Sequence, residues 1–243
     1  NDVFVIDNSS HFRLDNDVHL VIPEINGKHV ATSKIIANPN CCTAILCTVL
    51  YPLTKFNKIK RIDVSTYQAV SGAGKLGTEE LELQCKQFVE KQEIKNNTDV
   101  FKSQIFNNCF SHNTTIDPAT GYCGEELKII NETKKILGDD TVLLTATCVR
   151  IPTIGGHSES VNIEFENDFD IQDVRKILEQ APGVIVKDDI DNFIYPMPLT
   201  AYDKDDTFVG RIRRDESQKN TLNCWIVSDN LRKGAATNAI QIA

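Results

Sequence analysis

The chain has 243 residues, 41% of them hydrophobic and 25% charged, with a net charge of −8. That length buries a substantial core, as one large domain or two small ones, and the acidic balance speaks against a nucleic-acid binder, which normally carries a basic face. No apolar run approaches the roughly 20 residues that span a bilayer, and the opening NDVFVIDNSS lacks the charged and apolar regions of a signal peptide.

In chain order, VFVID and HLVIPEI read as short buried strands with no helix before them. After Asn40 the pattern predicts a helix over Thr43 to Leu50, ended before Pro52. IKRIDVSTYQAV reads as a strand, and TEELELQCKQFVEKQ, from Thr78, as a helix with acids in its first turn. Asn96 to Ala119 is rich in Asn, Ser and Thr and reads as loop. EELKIINETKKILGDD reads as a helix stopped at Gly138. TVLLTATCVRIP is a buried strand, and SVNIEFE alternates Val161, Ile163 and Phe165 as a half-buried one. DIQDVRKILEQAPG is an amphipathic helix, TFVGRIRR and TLNCWIVS are strands, and RKGAATNAIQIA is a closing helix. Alternating strands and helices without an internal repeat give an α/β or α+β class.

The eight cysteines form no C-x-x-C pair, so neither a zinc ribbon nor a thioredoxin-type motif is expected. Cys47 and Cys148 sit in apolar runs and read as reduced core thiols. Asn-x-Ser/Thr triplets at Asn8, Asn96, Asn113 and Asn131 read as chance, and the compartment as reducing and cytoplasmic.

Three stretches have chemical potential. In KIIANPNCCTAI, Cys41 and Cys42 follow Asn-Pro-Asn at a strand-to-helix turn; they are either small core residues or a nucleophile and its neighbour. GAGKLG, Gly72 to Gly77, matches G-x-G-x-x-G, with Glu93 as the acid further on. The strand before it ends in Tyr67 and Gln68, polar where a dinucleotide fingerprint is usually apolar. In RIPTIGGHSES, a strand-end Arg150 and His157 suit a site that binds a carboxylate and moves a proton, against the alternative of a histidine on a surface loop. Arg13 could bind an anion or be solvated, and Glu125 with Lys128 reads by default as a solvated ion pair.

VIDNSSHFRLDNDV, IIANPNCCTAI, STYQAVSGAGKLGTEEL, RIPTIGGHSESVNIEFE, PMPLTAYDKDDTFVGRIRRD and DNLRKGAATNAIQIA together resemble the bacterial aspartate-semialdehyde dehydrogenases, in family order and over nearly the whole chain. The resemblance implies that Cys41 is the nucleophile, with Cys42 standing where the family usually has Ser, and that His157 is the general acid/base. Gln68 and Arg150 match substrate-orienting positions, and Glu125 the group that holds the substrate's amino end. Arg13, Asn40 and Lys128 match a phosphate site. Ser71, Gly72 and Asn230 match positions that contact the cofactor NADP(H), which demotes GAGKLG from a fingerprint to part of the catalytic domain.

The resemblance also implies a fold. Residues 1–40 would be the C-terminal part of a Rossmann-type nucleotide-binding domain whose beginning and Gly-rich loop precede Asn1. Residues 41–221 would be a glyceraldehyde-phosphate-dehydrogenase-like catalytic and dimerisation domain with a mixed sheet, and residues 222–243 a return segment and helix. The expected ligands are aspartyl phosphate, aspartate semialdehyde and phosphate. The expected assembly is a homodimer, with a tetramer as the larger alternative, and neither nucleic acid nor membrane is expected as a partner. Quenching of the single tryptophan, Trp225, is expected to report NADP⁺ binding. The competing readings are a catalytically weak dimerisation fragment, a related acylating enzyme such as an N-acetyl-glutamyl-phosphate reductase, and a Cys-His hydrolase.

Overall fold

The computed structural model describes residues 3–32, 34–95 and 100–243. The Asn96 triplet lies outside the described residues.

Two sheets organise the chain. The small one holds β1 (Val5–Asp7), β2 (His19–Leu20) and β3 (Ile35–Ala37) in the order β1-β3-β2, all parallel, with a short helix α1 (Pro23–Asn26) before a 3-10 turn, Gly27–Thr32. VFVID is the edge of this sheet, and Val3, Phe4 and Val5 are exposed there.

After the long helix α2 (Cys41–Phe56) come β4 (Ile59–Gln68), α3 (Lys75–Val89), β5 (Phe110–Ser111), α4 (Gly124–Leu137), β6 (Leu143–Arg150), β7 (His157–Phe165), α5 (Ile171–Glu179), β8 (Val184–Val186), α6 (Pro198–Ala201), β9 (Thr207–Arg214) and β10 (Thr221–Ser228). Their strands form one mixed sheet of order β5-β6-β4-β7-β10-β9-β8, in which β4 runs parallel to β6 and β8 to β9. A π turn, Arg232–Ala236, and α7 (Thr237–Ile242) close the chain. Since β10 lies inside the large sheet, the return to the small sheet begins after Ser228 and not at 222.

α2 is the centre of the molecule. Ile45, Leu46, Val49, Leu50 and Leu53 are fully buried against Ile62 and Val64 of β4, Val161 and Ile163 of β7, and Ile226 of β10. Each such side chain contributes about 1.5–3 kcal/mol on burial. This explains why the helix does not stop before Pro52, as its sequence suggested, but runs to Phe56. A proline inside a helix costs about 3 kcal/mol, and the apolar groups on both sides of it offset that.

α3 likewise starts earlier than expected, at Lys75, because Gly74 at φ +81° turns the chain into it. α4 ends as its sequence predicts, on Gly138 in the left-handed conformation at φ +65°. The second face of the large sheet is open: Tyr67 and Trp225 lie there with ring centroids 5.5 Å apart. None of the helices among the described residues is long and apolar enough to cross a membrane.

α7 docks on the small sheet, where Ile242 packs with Val21 and Ile36. Lys233, nearly inaccessible, donates to Glu24 at 2.5 Å and to Asn238 and Gln241 at 2.9 Å, tying the two ends of the chain together.

Candidate active site

Asn-Pro-Asn places Asn40 as the N-cap of α2. Its Oδ1 accepts from the backbone N–H of Cys42 at 3.0 Å and of Thr43 at 3.3 Å, two of the donors a helix start leaves open. Cys41 is therefore the first helical residue, where the helix dipole favours an anion.

The C-terminal ends of β1 and β3 point at the same place, which is where open parallel sheets bind ligands. Between them and the large sheet runs a cleft of about 550 Å³. Ten of the eleven predicted site residues line it: Cys41, Gln68, Glu125, Arg150, Arg13, Asn40, Lys128, Ser71, Gly72 and Asn230. The eleventh, His157, is fully buried beneath the floor. It opens β7 after Gly156, which turns the chain at φ +83°, so it is not on a surface loop.

Cys41, Cys42 and His157 bring their polar side-chain atoms within 4.8 Å of one another. His157 Nδ1 accepts the Ala69 N–H at 3.0 Å, which leaves the ring proton on Nε2, a buried atom with no hydrogen-bond partner among the described residues. Nε2 thus faces the site as a donor and has no lone pair for a metal, so the trio suits nucleophile chemistry and not ion binding. A hydrogen bond from Cys42 holds the Cys41 thiol well below its ordinary value; burial opposes this, and His157 adds to it. Cys42 is pushed far up, by burial and by its bond to Cys41. The two neighbouring thiols are thus driven in opposite directions.

At one end of the cleft Arg150 is fixed by two bonds. Nη1 donates to Ala69 O at 2.5 Å and Nη2 to His112 Nε2 at 2.7 Å, while Nε is buried and unpartnered among the described residues. Burial, and less so Arg150 and Lys128, lower His112 to about 4 against the pull of Glu125, so it serves Arg150 as an acceptor. Sequence reading missed His112: a lone histidine in an Asn- and Thr-rich loop carries no local signal.

Glu125 is buried and not part of a solvated pair. Its Oε1 accepts from Asn40 at 2.8 Å and Gln68 at 3.1 Å, and its Oε2 faces Lys128 at 3.3 Å. Burial pushes this carboxyl up, but Lys128, Asn40, Gln68 and the imidazolium form of His112 together pull it down to about 2. At the other end Arg13 spans Glu132 at 3.1 Å, Asn38 O at 2.8 Å and Asn8 O at 3.0 Å. Glu132 also accepts from the Asn40 backbone at 2.7 Å, so Arg13 and the α2 cap share one carboxylate.

Ser71 and Asn230 face each other across the cleft wall and exchange hydrogen bonds at 3.0–3.2 Å. Gly72 keeps the floor open, since a Cβ there would stand 3.1 Å from Arg150 Nη1 and from His157 Nε2. Gly234 lets the return segment press on Cys41: a Cβ would stand 2.9 Å from that of Cys41.

The sequence matches the model described as semialdehyde dehydrogenase, dimerisation domain, over residues 50–233, and that described as semialdehyde dehydrogenase, NAD binding domain, over residues 1–33. The chain belongs to the aspartate-semialdehyde dehydrogenase family. It is 48% identical over 244 residues to the enzyme of that name from Aquifex aeolicus, covering 99% of this chain and 71% of the relative. With the Bacillus subtilis enzyme it shares 44% identity over 245 residues, covering 98% and 71%. The crystal structure of aspartate semialdehyde dehydrogenase II from Vibrio cholerae superposes with a TM-score of 0.93 at 42% identity, over 99% of this chain and 71% of that one. A Candida albicans aspartate-semialdehyde dehydrogenase solved with NADP matches at a TM-score of 0.72 and 25% identity, over 98% and 69%. GAGKLG runs from the end of a 3-10 turn, Val70–Ala73, into the start of α3, and Gly72, Ala73 and Gly74 line the cleft.

Proposed function

We propose that the chain is an NADP-dependent aspartate-semialdehyde dehydrogenase. It reduces L-4-aspartyl phosphate to L-aspartate 4-semialdehyde through a thioester on Cys41, in the synthesis of lysine, threonine and methionine. The observation that carries this is the Cys41 thiol at the start of α2, beside His157, in a cleft with Arg150 at one end and Arg13 with Lys128 at the other.

Arg150 is the receptor for the α-carboxylate: its orphaned Nε and planar fork suit a bidentate anion. Glu125, kept ionised, holds the ammonium group. An N-acetylated substrate has no charge to offer it, which favours aspartyl over N-acetyl-glutamyl phosphate. Gln68 is aligned by Thr66 at 2.9 Å and orients the acyl chain. Arg13 and Lys128 bind the phosphate, and Asn40 acts there from the cap of α2.

Cys41 thiolate attacks the acyl carbon, and phosphate leaves as an anion that takes up a proton from water. NADPH, held along Ser71, Gly72 and Asn230, supplies the hydride when bound; the floor that Gly72 leaves free of a side chain gives it access. The tetrahedral species on Cys41 are alkoxides that collapse by expelling phosphate or the thiolate, so neither needs a proton in order to break down. His157 has only to donate Nε2–H to the developing oxyanion, and the Ala69 N–H fixes the tautomer that does so.

Residues 1–40 form the nucleotide-binding part together with the return segment, whose α7 shares a core with the small sheet. The strands from β4 to β10 form the catalytic and dimerisation part. Its open sheet face holds a groove of about 520 Å³ lined by Trp225, Tyr195, Met197 and Arg211 and is the surface on which two copies meet, as a dimer or as half of a tetramer. All eight cysteines are free, in keeping with the cytoplasm.

Mass spectrometry after adding aspartate semialdehyde, NADP⁺ and no phosphate tests the assignment. The expected result is an acyl adduct on the Cys41 peptide that Cys41→Ser loses; an adduct on Cys42, or none, overturns it.

A further inference from the structure

Glu132 of α4 has no task in this mechanism, yet it is buried and both of its carboxylate oxygens are engaged with residues of the cleft. Oε1 accepts from Arg13 Nη1 at 3.1 Å, and Oε2 accepts from the backbone N–H of Asn40 at 2.7 Å. That N–H stands at the entry to α2, one residue before Cys41. A helix often satisfies it with a Glu or Gln at its own third residue. α4 does so: Glu126 Oε2 accepts the Cys123 N–H at 2.8 Å. α2 does not, because its third residue is Thr43, whose Oγ1 is buried without a partner among the described residues. Glu132 supplies the missing carboxylate from another helix.

The same face of α4 carries Glu125, two turns earlier, whose Oε1 accepts from Asn40 Nδ2 at 2.8 Å. Asn40 is thus gripped by its backbone and by its side chain. At the other oxygen of Glu132, Arg13 has five N–H groups to give. Three are committed, to Glu132, Asn38 O and Asn8 O, which leaves one on each terminal nitrogen for a ligand in the cleft that Arg13 lines.

In attack on an acyl phosphate the acyl carbon sits between the sulfur and the phosphate, so the two sites have to keep a fixed separation. We propose that Glu132 is a positioning residue that sets this separation: one oxygen aims Arg13 at the phosphate, and the other holds the start of α2 and with it the Cys41 thiol. A single carboxylate then keeps the two ends of the reacting group in register.

The inference rests on the reading of Cys41 as nucleophile and Arg13 as phosphate receptor, but its two main measurements need neither aldehyde nor cofactor. A chain that lacks dehydrogenase activity fails that reading and leaves this one measurable. The first measurement is calorimetric titration with inorganic phosphate. The second is the rate of iodoacetamide alkylation in phosphate-free buffer, followed on the Cys41 peptide by mass spectrometry. In Glu132→Leu, which fills the space and accepts from neither partner, phosphate binding weakens at least about tenfold. Alkylation of Cys41 slows about threefold as the helix start loosens.

Loss of a negative charge alone acts with the opposite sign on both: it strengthens phosphate binding and favours the thiolate. Tighter phosphate binding, faster alkylation, or parent values for either one overturn the proposal, as does a parent that binds no phosphate. In steady-state kinetics KM for phosphate rises while KM for aspartate semialdehyde stays near that of the parent; an equal rise in both shows general damage and refutes the positioning role. Should Glu132→Leu not fold, Glu132→Gln decides, since it offers one acceptor oxygen to two donors. Loss in phosphate binding or in alkylation supports the proposal, and parent values for both refute it.

Discussion

Arg150 Nη2 donates to His112 Nε2 over 2.7 Å, so a buried guanidinium is steadied by an uncharged imidazole in place of a carboxylate. That choice leaves the positive charge unspent for a ligand.

Arg150→Lys removes both the fork and this anchor. KM for aspartate semialdehyde is expected to rise roughly 100-fold or more, since truncating a buried charged pair costs about 2–5 kcal/mol. His112→Gln, which can still accept, should cost less than tenfold. Steady-state kinetics check both, and an unchanged KM in Arg150→Lys removes the carboxylate role.

Acid stability follows from the same pair. His112 titrates near 4 in the fold and near 6.5 when unfolded, so the unfolded chain binds more protons between these values and stability falls as pH drops through that window. Glu125, at about 2 against 4.5, contributes stability that is full above 4.5 and is lost as pH falls towards 2. Urea unfolding should therefore weaken in two stages below pH 6.5, the first worth up to about 3 kcal/mol. His112→Gln should abolish the first stage and shrink the second, because the imidazolium of His112 is one of the groups that hold Glu125 down.

Gly72→Ala places a methyl 3.1 Å from Arg150 and from the His157 ring. The expected outcome is a kcat lower by at least tenfold, with thermal stability changed little because the methyl intrudes on the cleft and not on a packed core. A kcat equal to that of the parent would show that the floor has room to spare.

Trp225 lies on the sheet face away from the cleft, beside Tyr67 and with Nε1 donating to Pro196 O at 3.0 Å. Its fluorescence is therefore expected to follow self-association and not, as its sequence alone suggested, NADP⁺ binding. Trp225→Glu should yield monomers in sedimentation velocity at concentrations where the parent is paired.

What the sequence disclosed and what it hid divide along chain distance. Asn40 before Cys41 is a local signal, readable as a helix cap and a poised thiol, and the Gly-Gly turn before His157 is another. The family likeness supplied Arg13, Lys128 and Ser71, which no spacing would have selected. Hidden were relations across the fold: His112 meeting Arg150, Glu132 serving both Arg13 and the α2 cap, and α2 running through Pro52 because apolar groups on both sides of it are buried. The Glu125–Lys128 spacing was visible, but its burial was not.

The contact between Gly234 and Cys41 means that the thiol at the start of α2 is walled in by a segment translated long after it. Until that segment emerges from the ribosome this wall does not exist, and the cleft stands open on that side. The pocket around this thiol is therefore finished only after residues 232–236 have been made, and folding of the cleft has to wait for them.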